Sequence, residues 1–102
     1  MDLAGLQREV EAISALYARR FDIDRTDDWL LLKLNEEVGE LTQAYLARTG
    51  QARRTDASPE HFDDEIADVL AHLLLIAERF GVDVAAAMER KWLAWKADLD
   101  ED

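Results

Sequence analysis

The side chains best suited to chemistry in this chain are carboxylates at helical spacing. Glu36, Glu37 and Glu40 fall within Leu34–Leu41, and Glu65 and Asp68, with Asp64 beside them, fall within Asp64–Leu70. Residues three or four apart share one face of a helix, so each set projects its acids together. Like charges placed this way repel unless something positive sits among them. Either set alone reads as solvated charge on an amphipathic helix. Together, both sets hug the edge of an apolar face, and an antiparallel pair of helices turns them toward one another. Four or five converging oxygens without matching lysines suit a hard divalent cation, Mg2+ with Mn2+ as a substitute. A triphosphate carries about four negative charges and approaches such acids only when metal ions bridge them. Bound metal also lowers the pKa of a water and steadies charge developing on phosphoryl oxygens. Lys33 is the first candidate for a phosphate oxygen, and Lys91, Lys96, Arg53 and Arg54 are further ones that read equally as solvated charge. Trp29, one to two turns before the acids, is a stacking surface for a base or a core residue at a helix start.

The composition narrows the classes. The chain has 102 residues, Lys+Arg 12 against Asp+Glu 23, a net charge of −11 and no cysteine. One domain over residues 1–102 is expected at this length. The acidic balance repels phosphodiester backbones, so no nucleic-acid polymer is expected as a partner. The absence of cysteine excludes disulfides, thiolate metal sites and a cysteine nucleophile. A di-iron carboxylate bundle asks for Glu-x-x-His on two helices, and neither His61 nor His72 stands three after a glutamate. The start lacks an apolar signal region, and no apolar run approaches the roughly 20 residues of a membrane span. A soluble, cytoplasmic protein is the resulting expectation.

The elements that must hold the acids read as all-α. Four Gly and one Pro punctuate the chain, and no stretch alternates like a half-buried strand. Leu3, Leu6, Val10, Ile13, Leu16 and Tyr17 define a first helix over about 2–21. Thr26 or Asp27 caps a second, with Leu30, Leu34, Val38, Leu41 and Tyr45 as its stripe and Gly50 as its end. Glu37 lies on the edge of that stripe. Residues 51–57 form an exposed loop. Ser58 and Pro59 start a third helix that stops at Gly81. Ile66, Val69, Leu70, Leu73, Leu74, Ile76, Ala77 and Phe80 give it a broad apolar face, with Leu75 pointing out on the side of Asp68 and His72. A helix this apolar calls for partners on two sides, and one four-helix chain covers only one, so a second subunit is expected on the other. Asp83 caps a last helix through Ala85, Met88 and Trp92 to about Ala97, with residues 98–102 as a frayed acidic tail. Trp92 and Trp95 read as core or subunit contacts.

Leu-Asn-Glu-Glu-Val-Gly-Glu-Leu followed, after a 24-residue spacer, by Asp-Glu-Ile-Ala-Asp-Val-Leu resembles the MazG-like branch of the all-α nucleoside triphosphate pyrophosphohydrolases, whose signature is Glu-x-x-Glu, a spacer, then Glu-x-x-Asp. Lys33, the Leu-Leu-Leu-Ile-Ala run, Gly81-Val-Asp and Lys91 extend the likeness over about residues 29–92. The resemblance implies a four-helix protomer in a homodimer or homotetramer that cleaves a nucleotide, with Mg2+, between its α- and β-phosphates. Carried over by position, Glu37, Glu40, Glu65 and Asp68 are the implied metal ligands, and Glu36 an additional ligand or the group that orients or deprotonates water. Family members often follow the last-helix Lys with an Asn and an Arg; Trp95 and Asp98 stand near those places here. His72 is reminiscent of the related phosphoribosyl-ATP pyrophosphohydrolases, although the lead-in to Glu36 lacks their Ser-Tyr-Thr-type stretch; a structural histidine near the site is the alternative. A helical module that binds nucleotide or protein without turnover is the competing class.

Overall fold

A computed structural model of the chain describes residues 2–53 and 58–101. Among these residues the fold is all-α: α1 (Leu3–Arg20), α2 (Asp27–Arg48), α3 (Pro59–Arg79) and α4 (Val84–Lys91), followed by a 3₁₀ segment, Leu93–Glu101. Each helix begins where a short polar side chain can occupy an orphan N–H. Asp2 accepts from the Gly5 amide, Thr26 from Trp29, Ser58 from His61 and Asp83 from Ala86. Gly50 and Gly81 turn the chain after α2 and α3 at φ 74° and 67°, a conformation that disfavours a Cβ. No helix among the described residues is long and apolar enough to cross a membrane.

α2 and α3 pack antiparallel, and contacts at their two ends fix the register. Arg79 Nη1 donates to Asp27 Oδ1 at 2.6 Å and Nη2 donates to the Arg25 carbonyl, while at the far end the Arg48 guanidinium lies 5.0 Å over the Phe62 ring. α1 lies across α3. Gln7, buried, donates through Nε2 to Glu78 Oε1 at 3.1 Å and to the Val82 carbonyl at 3.0 Å. Arg25 grips both oxygens of Glu11, at 2.7 and 3.1 Å, tying the connector before α2 to α1. α4 packs on α1 and on the 3₁₀ segment.

The helices sit where expected, but their faces are rotated. Buried residues on α2 are Leu30, Glu37 and Ala44, so Glu37 occupies the centre of the inward face, not its edge, while Val38 and Tyr45 are about half exposed. On α3, Leu75 is buried beside Leu74, contrary to its expected outward position, and Ile66, Leu70, Leu73 and Phe80 are exposed. α1 buries Gln7 and Ala18 and leaves Ile13, Leu16 and Tyr17 outside. The displaced side chains of α2 and α3 lie about 60° to 140° of helix arc away from the nearest acid. The last helix is shorter than expected. It stops at Lys91, not Ala97, and the expected frayed tail is 3₁₀ through Glu101. α4 packs on α1 without fully burying any residue, and Met88, Trp92 and Trp95 are left exposed.

The result is an open protomer. Its accessible surface is 7884 Å², whereas a folded monomer of this mass exposes about 5,800 Å². Its radius of gyration is 16.6 Å, against about 13 Å for a compact chain of this length.

Candidate metal centre

The register of α2 against α3 brings the two acidic motifs together. One carboxylate oxygen from each of Glu37, Glu65 and Asp68 lies within 4.8 Å of the others. Glu37 is only 8% exposed, and its Oε2 is buried without a hydrogen-bond partner; Glu65 Oε2 is in the same state. Buried polar atoms are nearly always paired, so two orphaned acceptors on members of one acidic group single it out as a candidate cation site. Oxygens on one Mg2+ at about 2.1 Å lie within about 4.2 Å of each other, so the three carboxylates would have to close only slightly to share one ion. The donor set, carboxylate oxygens alone, fits a hard divalent ion.

The electrostatics agree. The Glu37 carboxyl is pushed above its ordinary range by burial, then by the charges of Glu40 and Asp68, with His72 pulling the other way. Glu65 is pushed up by burial and by Glu40 and Asp68, with His61 opposing. Glu40 therefore acts on both orphaned acids and forms the fourth member of the group. Lys33 Nζ donates to Glu36 Oε1 at 3.1 Å and feels Glu37 and Glu40 as well, so its ammonium is held above the usual lysine range, chiefly by the Glu36 hydrogen bond. Glu36 itself is exposed, paired with Lys33, and outside the three-oxygen cluster. His72 Nδ1 donates to the Asp68 carbonyl at 2.8 Å, one turn back on its own helix, which turns Nε2 into the acceptor of the neutral ring.

Other expected residues are not gathered here. Trp29 is half-buried in the first turn of α2, where its amide takes the Thr26 cap. Lys91 lines a shallow recess with Trp92 and Trp95 at the C-terminal end of the chain. Lys96 lies on the exposed 3₁₀ segment, and Arg54 lies outside the described residues. Arg53, by contrast, does reach the site. A cleft of about 510 Å³ opens from Glu40 and Glu65 toward the end of α2, with Gln43, Ala47, Ala52, Arg53 and His61 along its walls. Sequence reading passed over Gln43 and His61. The signal was present, because Glu40, Gln43 and Ala47 share one helical stripe and His61, Glu65 and Asp68 share another. Comparison of the chain with family models, with curated proteins and with solved structures finds no match.

Proposed function

We propose that the chain is a Mg2+-dependent nucleoside triphosphate pyrophosphohydrolase, releasing a nucleoside monophosphate, with a deoxynucleotide the expected substrate, and pyrophosphate. The observation that carries the reading is the convergence of Glu37, Glu65 and Asp68 with two buried, unpartnered carboxylate oxygens. A chain with no metal to hold would relieve that repulsion by substituting any one of them. The spacing of the acids, and their likeness to the MazG-like signature, select phosphoanhydride hydrolysis from the reactions a hard cation serves.

Glu37, Glu65 and Asp68, with Glu40 beside them, would hold the metal. When bound, Mg2+ supplies neutralisation of the triphosphate, a more acidic water and stabilisation of charge on the phosphoryl oxygens. The chain's own groups do the rest. Burial of Glu37 keeps its carboxylate directed at the cluster and bars competing water. Asp68 is anchored through its backbone, since His72 donates to its carbonyl. Glu36, exposed and steadied by Lys33, is the group to orient or deprotonate water attacking the α-phosphorus. Lys33 stands ready for a phosphate oxygen at the same edge.

The reading includes a second copy of the chain. The excess surface of about 2,000 Å² matches what one partner contributes to an obligate interface. Exposed Ile66 and Leu73 on α3, with Val38 and Tyr45 on α2, supply its apolar character. A homodimer or homotetramer closes these faces and leaves the acids free.

The test is incubation with Mg2+ and a panel of deoxy-, ribo- and modified nucleoside triphosphates, with products resolved by chromatography. Monophosphate plus pyrophosphate is the expected result. Diphosphate plus orthophosphate would place the cut elsewhere and refute the reaction. Inertness toward every triphosphate would refute it too and make phosphoribosyl-ATP the next substrate to try.

A further inference from the structure

We infer that the cleft beside the carboxylates receives the nucleoside half of the substrate, with Gln43 meeting the edge of the base and the pyrophosphate half directed the opposite way, toward Lys33. The inference rests on the proposed nucleotide reading and adds an orientation to it. Glu65 belongs both to the three-oxygen cluster and to the cleft wall, and Glu40, whose charge acts on Glu37 and Glu65, lines the same wall, so the cluster and the cleft adjoin. The cleft's volume, about 510 Å³, lies within the range of small-molecule sites.

Its walls fit a flat heterocycle better than a polyphosphate. Ala47 and Ala52 offer methyl groups that let a ring lie close, and the Gln43 amide offers a donor and an acceptor side by side, the pattern that base edges present. Beyond the metal, the Glu40 and Glu65 carboxylates line this space and oppose phosphate oxygens, with Arg53 and His61 as its basic wall residues. At the other end stands Lys33, one turn from Glu36 and Glu37 and within the field of Glu40. The antiparallel register set by Asp27–Arg79 and Arg48–Phe62 runs these features along one seam: Lys33, then the acids, then Gln43 and Ala47. A nucleotide with its α-phosphorus at the acids then has one polarity, base toward Ala47 and leaving group toward Lys33. Trp29, at the Lys33 end, is not the base platform.

The test separates this orientation from the reading beneath it. Ala47→Trp fills the cleft and Gln43→Leu removes the amide; neither replaces an acid, and Mn2+ binding reports whether the acids are disturbed. Binding of Mn2+ alone, followed by electron paramagnetic resonance, is compared with binding of dAMP, dCMP, dGMP and dTMP, and of inorganic pyrophosphate, each with Mn2+ present. The expected result is unchanged Mn2+ and pyrophosphate binding, monophosphate binding weakened about tenfold or more by Ala47→Trp, and preferences among the four bases flattened by Gln43→Leu. Undiminished monophosphate binding in Ala47→Trp would overturn the placement, and weakened pyrophosphate binding instead would reverse the polarity. An unaltered base ranking in Gln43→Leu would remove Gln43 as the reader. Failure of the unaltered protein to bind Mn2+ would overturn the metal reading, and the orientation with it.

Discussion

At the scale of single residues, the buried carboxylate of Glu37 sets the behaviour of the site. Its acid is raised by burial first and by Glu40 and Asp68 next, and Glu65 is raised for the same reasons. An acid whose folded pKa exceeds its unfolded value favours folding below the unfolded value and loses that advantage as pH climbs through the folded one. The metal-free protein is therefore expected to melt higher at pH about 5 than at pH about 8. Melting curves in chelator across that range check this, and the gain should shrink in Glu37→Gln, which is neutral throughout. The same variant should melt a few degrees above the unaltered protein in chelator at neutral pH and lose about 100-fold or more of its turnover with Mg2+. That Glu37, Glu65 and Asp68 share one place was legible in the sequence, because acids three or four apart project from one face of a helix. That Glu37 sits at the centre of the inward face was not, because the apolar arc was assumed to point inward and Glu37 was measured from its edge.

At the scale of elements, starts and stops were the most legible features. Capping is a local bond between neighbouring residues and needs no tertiary context, so Thr26, Ser58 and Asp83 do in the fold what their types advertise. The two kinds of glycine give a sharp test. Gly81 has φ 67°, and Gly39 lies inside α2 with open space where a Cβ would go. Gly81→Ala should cost about 1 kcal/mol through backbone strain alone, and Gly39→Ala should stabilise by about the same amount. Denaturant melts of the two variants should shift in opposite directions; a shift of the same sign would undo the backbone account. The end of α4 was not legible. Its extent depends on what Met88 and Trp92 pack against, and both are left exposed.

At the scale of the whole molecule, α1, α2 and α3 share one anomaly. Their apolar stripes are only partly covered: Leu30 and Leu74 are fully buried, yet Val38, Tyr45, Leu70 and Leu73 are exposed, while Gln7, Glu37 and Leu75 are buried off the expected stripes. The exposed apolar side chains, the large accessible surface and the large radius of gyration are what the proposed second copy would account for. Sedimentation at micromolar concentration is expected to give a dimer or tetramer. Leu73→Glu should shift it toward monomer while leaving the acids untouched; a monomer in the unaltered protein would refute the second-copy reading.

The central claim is that orphaned carboxylates form a divalent-cation site. Calorimetric titration of Mg2+ into metal-free protein, beside Glu37→Gln, tests it most directly. Saturable binding is expected in the unaltered protein, weakened about tenfold or more in the variant. Indistinguishable isotherms, or no binding at millimolar Mg2+, would contradict it.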